Sequence, residues 1–289
     1  MGLLLGAAGR AESPLIPAPS SRSDPSPRVN GSVHRLGRRL AAEAVGTGAL
    51  VSVVIGSGIQ AAELSQDGAV VLLANSLATV FGLGVLIAVL GPVSGAHFNP
   101  LVSLAAWWSG RGDGQGLLLR DVAAYAVAQI GGAVGGAVLA NAVFARPLVS
   151  WSTRERQAGH LWLAEVAATA GLIVVIFGLT RTGRSHLAPV SVAAYIGAAY
   201  WFTSSTSFAN PAVTIGRAFT DTYAGITPTS VGPFILAQVL GTAVGLGLVA
   251  VIFGPHFPTS APRDIRDSSQ VASRDAASAA SAEQGSSRS

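Results

Sequence analysis

The chain has 289 residues, of which half are hydrophobic and only 11% are charged, and its mean hydropathy is +0.52. A soluble domain of this size would carry more surface charge, so the composition predicts a polytopic membrane protein. The absence of cysteine excludes disulfides, thiolate catalysis and Cys-ligated metals. All 18 basic residues are arginines scattered over loops and tails, which favours a topological role over a nucleic-acid partner.

Six apolar segments reach or approach the roughly 20 residues that a membrane-spanning helix needs. They are 40–59, 69–90, 122–144, 161–179, 187–202 and 234–253. The third and sixth carry glycines four residues apart on one face, a spacing that allows a close helix crossing. These glycines are Gly131, Gly132, Gly135, Gly136, Gly241 and Gly245.

Residues 1–34 and 257–289 are rich in small and polar residues and are predicted to be disordered tails. The range between them, 35–256, is expected to form one membrane domain. Five of its aromatic residues are interpreted as interface anchors or packing. They are Trp107, Trp108, Trp162, Tyr200 and Trp201.

Two further apolar segments, 101–108 and 212–218, are too short to cross a bilayer, and each follows small polar residues that end in Asn-Pro. Asparagine is a favoured N-cap, and proline suits the first helical position because its missing N–H would have no partner there. The pattern therefore predicts two half-helices entered from loops. Two such segments at corresponding places in two halves indicate a pore or binding site near mid-membrane.

The two halves, about 38–145 and 160–254, match in register. Glu43 in the first span corresponds to Glu165 in the fourth, and Gln129 in the third corresponds to Gln238 in the sixth. Three spans per repeat is an odd number, so the second repeat must be inverted. The predicted fold is an all-α membrane protein with six transmembrane helices and two half-helices in an inverted repeat. The side that would hold both termini carries 14 of the 18 arginines, which predicts cytoplasmic termini.

The paired Asn-Pro stretches have a chemistry suited to uncharged solutes. Irregular backbone at membrane depth is tolerated where it is buried in protein or lines a wet cavity, and its carbonyls can accept hydrogen bonds from a solute in single file. Asn99 and Asn210 can each offer a side-chain NH₂. The two helix N-termini bring positive dipole ends together, which disfavours cations and protons.

Glu43 and Glu165 are the only acids inside the predicted spans. We interpret them as acceptors for loop N–H groups that hold the irregular backbone in shape. A proton relay is the alternative, but it would need further titratable groups, and His97 is the only one at hand. For His97 we favour packing and hydrogen bonding at the cytoplasmic mouth over a pH gate.

These motifs resemble those of the major intrinsic protein family, the aquaporins and aquaglyceroporins. The likeness rests on Ser-Gly-Ala-His-Phe-Asn-Pro, Phe-Ala-Asn-Pro-Ala-Val and Ala-Glu-x-x-Gly-Thr, and it covers about 38–253. It implies a homotetramer with one pore per subunit. We expect a multi-pass protein in contact with the lipid of the plasma (inner) membrane. Because no cluster of catalytic groups converges in the sequence, we expect neither enzymatic activity nor a cofactor or metal.

The sequence departs from the family pattern at two positions. The first box reads Asn99-Pro100-Leu101, with Leu in place of the usual Ala beside the midplane constriction, whereas the second keeps Asn210-Pro211-Ala212. The residue after the second box, commonly an Arg of the outer selectivity filter, is Val213. We do not transfer that role to Arg217, one helical turn later. Counting from the boxes without gaps places the other filter residues at Ser207, Thr79 and Ala198.

Such a filter would be wide and without fixed charge. It favours a passive channel for glycerol-like polyols, hydroxides of arsenic and antimony, and water, since an Arg there would narrow the pore and repel cations. A bacterial branch of aquaglyceroporins linked to arsenic resistance resembles this sequence in having Val after the second box. The alternatives are an orthodox water channel, a coupled transporter, or a non-conducting membrane protein of the same fold with Leu101 as a plug.

Overall fold

The computed structural model describes residues 30–111 and 117–254, with side chains from residue 36 onward. This part of the chain folds into eight α-helices without a β-strand. They are α1 (Asn30–Leu64), α2 (Gly68–Ser94), α3 (Pro100–Gly110), α4 (Leu119–Val143), α5 (Gly159–Arg181), α6 (Ala188–Phe202), α7 (Pro211–Gly216) and α8 (Pro228–Phe253). The predicted tails lie outside the described residues, except that α1 begins at Asn30, within the range assigned to the N-terminal tail.

Helices α1, α2, α4, α5 and α8 are long and apolar enough to cross a membrane, which confirms five of the six predicted spans. The remaining predicted span forms α6, in which Pro189 lies in the first turn and suits the helix start. At 15 residues α6 is about 22 Å long, shorter than the hydrocarbon core of about 30 Å. A 3₁₀ turn at Ser185–Leu187 precedes α6 and lengthens it at that end.

The packing of the helices follows the predicted inverted repeat. Helix α1 packs most extensively against α4, and α5 packs in the same way against α8, so each repeat has an equivalent main pair. Helix α2 of the first repeat packs against α6 of the second. The half-helices α3 and α7 contact each other between these pairs. The two repeats therefore enclose the half-helices from both sides.

The close crossing of α1 and α4 depends on two of the four glycines in α4. A Cβ atom at Gly132 would lie 2.1 Å from the carbonyl oxygen of Ala44, and one at Gly136 would lie 2.1 Å from that of Gly48. Gly131 and Gly135 have no such neighbour, so the expectation that all four share the crossing face is wrong. Successive residues of a helix point in directions about 100° apart, so Gly131 and Gly135 lie on a different face of α4 from Gly132 and Gly136. In α8, Gly241 and Gly245 approach the carbonyls of Val166 and Ala170 on α5 in the same way.

We expect Gly136→Ala to destabilise the protein and Gly135→Ala to leave its stability nearly unchanged. The first change forces a methyl group into a backbone carbonyl, and overpacking of this kind costs about 1–3 kcal/mol or more. At about 2–4 °C per kcal/mol, the apparent melting temperature in detergent should fall by roughly 2–12 °C. Equal shifts for the two variants would contradict the assigned crossing.

Candidate functional site

Both half-helices begin at the predicted Asn-Pro pairs. The Leu101 N–H donates to the Asn99 side-chain oxygen at 2.9 Å, and the Ala212 N–H donates to that of Asn210 at 2.9 Å. Pro100 and Pro211 occupy the first turns, where a missing N–H leaves no intrahelical bond unmade. Each asparagine therefore caps its own half-helix with its oxygen, which leaves its NH₂ group free for other partners.

The two asparagine NH₂ groups join the repeats reciprocally. Asn99 Nδ2 donates to the carbonyl of Ala209 at 2.8 Å, and Asn210 Nδ2 donates to the carbonyl of Phe98 at 2.7 Å. An NH₂ group has two hydrogens, so each amide retains one for a further acceptor. Both side chains line the cavity described below. The half-helices thus meet at their N-termini through these paired amides.

The loops leading to the half-helices alternate between ordinary and left-handed backbone. Ala96 and Phe98 have φ of 49°, and their counterparts 111 residues later, Ser207 and Ala209, have φ of 51° and 49°. Left-handed φ is rare for residues other than glycine and costs energy, so surrounding contacts must hold it. The identical pattern in both loops shows that the two sequences adopt one geometry despite different side chains.

Two buried glutamates provide those contacts. Glu43 accepts hydrogen bonds from the Ser94 hydroxyl (2.6 Å), the backbone N–H groups of His97 (3.0 Å) and Phe98 (2.7 Å), and the Gln129 amide (2.7 Å). Glu165 accepts the equivalent four bonds from Ser205, Phe208, Ala209 and Gln238 at 2.6–2.8 Å. Neither carboxylate is exposed to solvent. Each therefore satisfies two loop N–H groups that the half-helix entry leaves unpaired.

His97 lies beside the first of these loops. Its Nδ1 is 3.0 Å from the Ser103 hydroxyl, and its ring packs edge-on against Tyr125 with centroids 5.5 Å apart. The Ser103 hydroxyl also accepts from the Gln129 amide at 3.1 Å. His97 thus belongs to the polar network of the first repeat, and it also lines the cavity.

A cavity of about 730 Å³ passes between the repeats. It extends from Ser109 at the end of α3, past Asn99 and Asn210, to Tyr200 at the end of α6. Aliphatic side chains such as Leu83 and Ile176 form much of its wall. A path of this form brings a solute past both asparagine NH₂ groups.

Three of the four predicted filter residues, Thr79, Ser207 and Val213, line this cavity. Ala198 does not: it is exposed on the outer face of α6, and Tyr200, two residues later, lies at the cavity instead. Two residues correspond to about 200° around a helix, so a gap of two in the count reverses the face. Tyr200, interpreted as an interface anchor or a packing residue, is 3% exposed, which agrees with packing and not with an interface position. Val192, Ile196 and Tyr200 recur every four residues along α6 and all line the cavity, so this spacing could have indicated Tyr200 from the sequence.

Leu101 is buried but does not line the cavity; Val102 and Ala106 do so from the same half-helix. Val102 and Val213 are counterparts, 111 residues apart, and both line the cavity. Within the described residues the cavity is therefore bordered by valine at equivalent places in both repeats. The bulk of Leu101 is directed into the protein, away from the path.

The end of the cavity near Tyr200, which we call the outer end, carries polar groups, of which sequence reasoning assigned Thr79 and Ser207 to the filter but not Tyr200 or Arg217. The Thr79 hydroxyl donates to the Asn75 carbonyl at 2.8 Å and lies 3.1 Å from the Tyr200 hydroxyl, so Tyr200 donates to it. The Ser207 hydroxyl is buried and has no hydrogen-bond partner among the described residues. Arg217 lines the same region, and its Nε donates to the Ala224 carbonyl. No local sequence pattern indicates that a side chain as long as Arg217 lies here.

Comparisons with known proteins agree with this architecture. The family model for major intrinsic protein matches residues 32–209. The chain is 47% identical over 223 residues to the aquaglyceroporin AqpS of Rhizobium meliloti (strain 1021), covering 77% of this chain and 93% of that protein. It is 30% identical over 227 residues to the glycerol uptake facilitator protein of Pseudomonas aeruginosa, covering 64% and 79%.

Among solved structures, the fold is similar to that of the aquaglyceroporin from Plasmodium falciparum, with a TM-score of 0.57 at 19% identity. That likeness covers 76% of this chain and 98% of the other.

Proposed function

The chain belongs to the major intrinsic protein family, and from this premise we propose that it is a passive transmembrane channel for small uncharged solutes, glycerol-like polyols first among them. The observation that carries the proposal is the cavity that passes both asparagine NH₂ groups. A channel of this kind binds solutes through fixed hydrogen-bonding groups on an otherwise apolar wall and needs no catalytic chemistry.

The outer end of the cavity suits a molecule with one hydroxyl-bearing face and one C–H face. Tyr200 and Ser207 present hydroxyl groups, and Val213 presents an aliphatic surface. The Ser207 hydroxyl is buried and has no partner among the described residues, so a solute that reaches it can bond it without breaking a bond inside the protein. A polyol can replace its water hydrogen bonds here while its carbon chain contacts Val213.

Neutral hydroxides of arsenic and antimony are the second candidate, together with water. They carry hydroxyl groups and no charge, and Val213 leaves room where an Arg would narrow the pore. These solutes use the same groups as a polyol, so all of them are expected to compete for one path.

Two alternatives have less support. A proton-coupled transporter needs titratable groups that change state during transport, yet Glu43 and Glu165 are each engaged in four hydrogen bonds. A plugged, non-conducting protein would need Leu101 in the path, and this side chain lies away from the cavity.

In the membrane, we propose a homotetramer in the plasma (inner) membrane with both termini in the cytoplasm. The arginine distribution supports the orientation. Large apolar side chains exposed on the outer surface, such as Val127 at 73% and Leu163 at 68%, support contact with lipid or with neighbouring subunits. Chemical crosslinking in membranes tests the tetramer, and protease protection of tagged termini tests the orientation.

The flux experiment that tests the function compares Tyr200→Phe with Tyr195→Phe in proteoliposomes. Tyr195 is on the same helix, but its hydroxyl donates to the Ala168 carbonyl at 2.9 Å and it does not line the cavity. A lost hydrogen bond of about 0.5–1.5 kcal/mol corresponds to a roughly 2- to 13-fold change in rate. We expect Tyr200→Phe to lower the ratio of glycerol to water flux by that factor and Tyr195→Phe to preserve it.

Stopped-flow light scattering with glycerol and water gradients measures this ratio, and arsenite uptake provides a third readout. A wild-type protein that passes neither glycerol nor arsenite would refute the proposed solute class. Flux that requires an ion gradient would favour the transporter.

A further inference from the structure

We propose that Arg217 supplies a fixed positive charge at the outer end of the pore and excludes inorganic cations there, although Val213 occupies the position after the second box. This inference rests on the proposed channel function and adds a selectivity residue to it. Three observations support it. The Arg217 guanidinium packs on Phe208 in the loop before α7, it forms no ion pair among the described residues, and the equivalent position of the first repeat is not an arginine.

The Arg217 side chain folds back over the loop that precedes α7. Long side chains on a helix lean towards its N-terminus, and Arg217 follows Val213 by four residues, about one turn. The guanidinium carbon lies 3.4 Å from the centre of the Phe208 ring, and Phe208 is next to Ser207 in the loop before α7. The guanidinium therefore lies over the loop before α7, and Arg217, Ser207 and Val213 line the same cavity.

No carboxylate among the described residues forms an ion pair with this charge. The described residues contain two ion pairs, Arg120 with Asp121 and Arg146 with Glu63, and neither involves Arg217. Glu165, the buried acid of the same repeat, attracts Arg217 only through space, because its oxygens accept hydrogen bonds from four other donors. The Arg217 guanidinium is held instead by the Ala224 carbonyl and the face of Phe208, which are neutral.

A second buried arginine reinforces the first. The guanidinium carbon of Arg156 is 4.9 Å from the same Phe208 ring, and its Nε donates to the Gly225 carbonyl at 3.2 Å. Burial, together with the neighbouring Arg154, lowers the pKa of Arg156 to about 10, so it keeps its proton at neutral pH. A cation at this end of the cavity thus meets the Arg217 charge, and Arg156, which does not line the cavity, adds a second positive charge near the same Phe208 ring.

The first repeat shows that the half-helix does not need an arginine at this place. The counterpart of Arg217, 111 residues earlier, is Ala106, which also lines the cavity. The equivalent positions 102 and 213 hold the same residue, valine, whereas the equivalent positions 106 and 217 hold alanine and arginine. Of these two equivalent half-helix positions, only the one in the second repeat carries the charge.

The test measures glycerol flux and sodium or potassium uptake in the same proteoliposomes for wild type, Arg217→Gln and Arg154→Gln. Arg154 is an exposed arginine of the neighbouring loop and provides the matched control. We expect Arg217→Gln to keep glycerol flux within about twofold and to raise cation uptake at least tenfold over empty liposomes. Wild type and Arg154→Gln should remain cation-tight.

Arg217→Met keeps the inference testable if the Gln variant does not fold. Methionine is neutral, unbranched and able to fill the space beside the Phe208 ring. Cation uptake should rise in Arg217→Met as in Arg217→Gln, with glycerol flux unchanged. A folded Arg217→Gln or Arg217→Met that passes glycerol and stays cation-tight overturns the inference. Failure of the proposed function is distinct, because wild type itself would then pass no glycerol.

Discussion

Val213→Arg is expected to reduce glycerol flux by more than about tenfold while water flux falls much less. The new side chain would enter the cavity opposite the Tyr200 and Ser207 hydroxyls and fill space that a polyol needs. It would also bring a second guanidinium beside Arg217, and narrowing with added charge favours the smallest neutral solute. Stopped-flow light scattering with glycerol and water gradients, and arsenite uptake, measure the three fluxes.

Val213→Met separates size from charge at the same position. Methionine adds length without charge and adapts to the available space, so its effect on glycerol should be smaller than that of arginine. Glycerol flux at the wild-type level in Val213→Arg would show that position 213 does not border the narrow part of the path. Water flux alone in the wild type would show that the filter as a whole is misassigned.

Glu165→Gln is expected to destabilise the protein by several kcal/mol, enough to threaten folding. A glutamine retains one acceptor oxygen but presents an NH₂ group where Glu165 Oε2 accepts from Ala209 N and Gln238 Nε2. Each buried donor left unsatisfied costs about 1–3 kcal/mol, and two are involved. That loss is a large part of the roughly 5–15 kcal/mol by which native proteins are stable.

The apparent melting temperature in detergent should fall on the order of 10 °C for Glu165→Gln. Glu63→Gln is the matched control, because Glu63 forms an exposed ion pair with Arg146 at 2.9 Å. Exposed pairs contribute about 0–1 kcal/mol, so this control should shift the melting temperature by only a few degrees. Equal stability of the two variants would show that the buried carboxylate is not required to hold the loop.

The sequence predicted the parts of the structure that local chemistry determines. A bilayer fixes the length of an apolar helix, Asn-Pro fixes a helix start, and a buried Glu must find donors. The helix positions and the start of each half-helix followed from these constraints. The pairing of Glu43 with Glu165, and of Gln129 with Gln238, followed from their common register.

What the sequence did not predict depends on tertiary geometry. Ala198 was assigned by counting residues back through an irregular loop, and the length of a loop does not determine which face of the next helix a residue occupies. Tyr200, two residues later, lines the cavity instead. The direction of Leu101 depends on how α3 is rotated against its neighbours. The return of Arg217 to Phe208 is a side-chain conformation over several bonds, and no periodicity encodes it.

The reciprocal bonds of the two asparagines also set an order for biosynthesis. The ribosome completes the first repeat before the second exists, so the NH₂ of Asn99 has to wait for the Ala209 carbonyl, which is synthesised 110 residues later. Likewise, the Phe98 carbonyl receives its donor only when Asn210 has been inserted. The first repeat can enter the membrane with its helices formed, but its half-helix loop reaches the final geometry only after the second repeat arrives. Truncation anywhere before Asn210 therefore leaves an unfinished loop in an otherwise inserted chain.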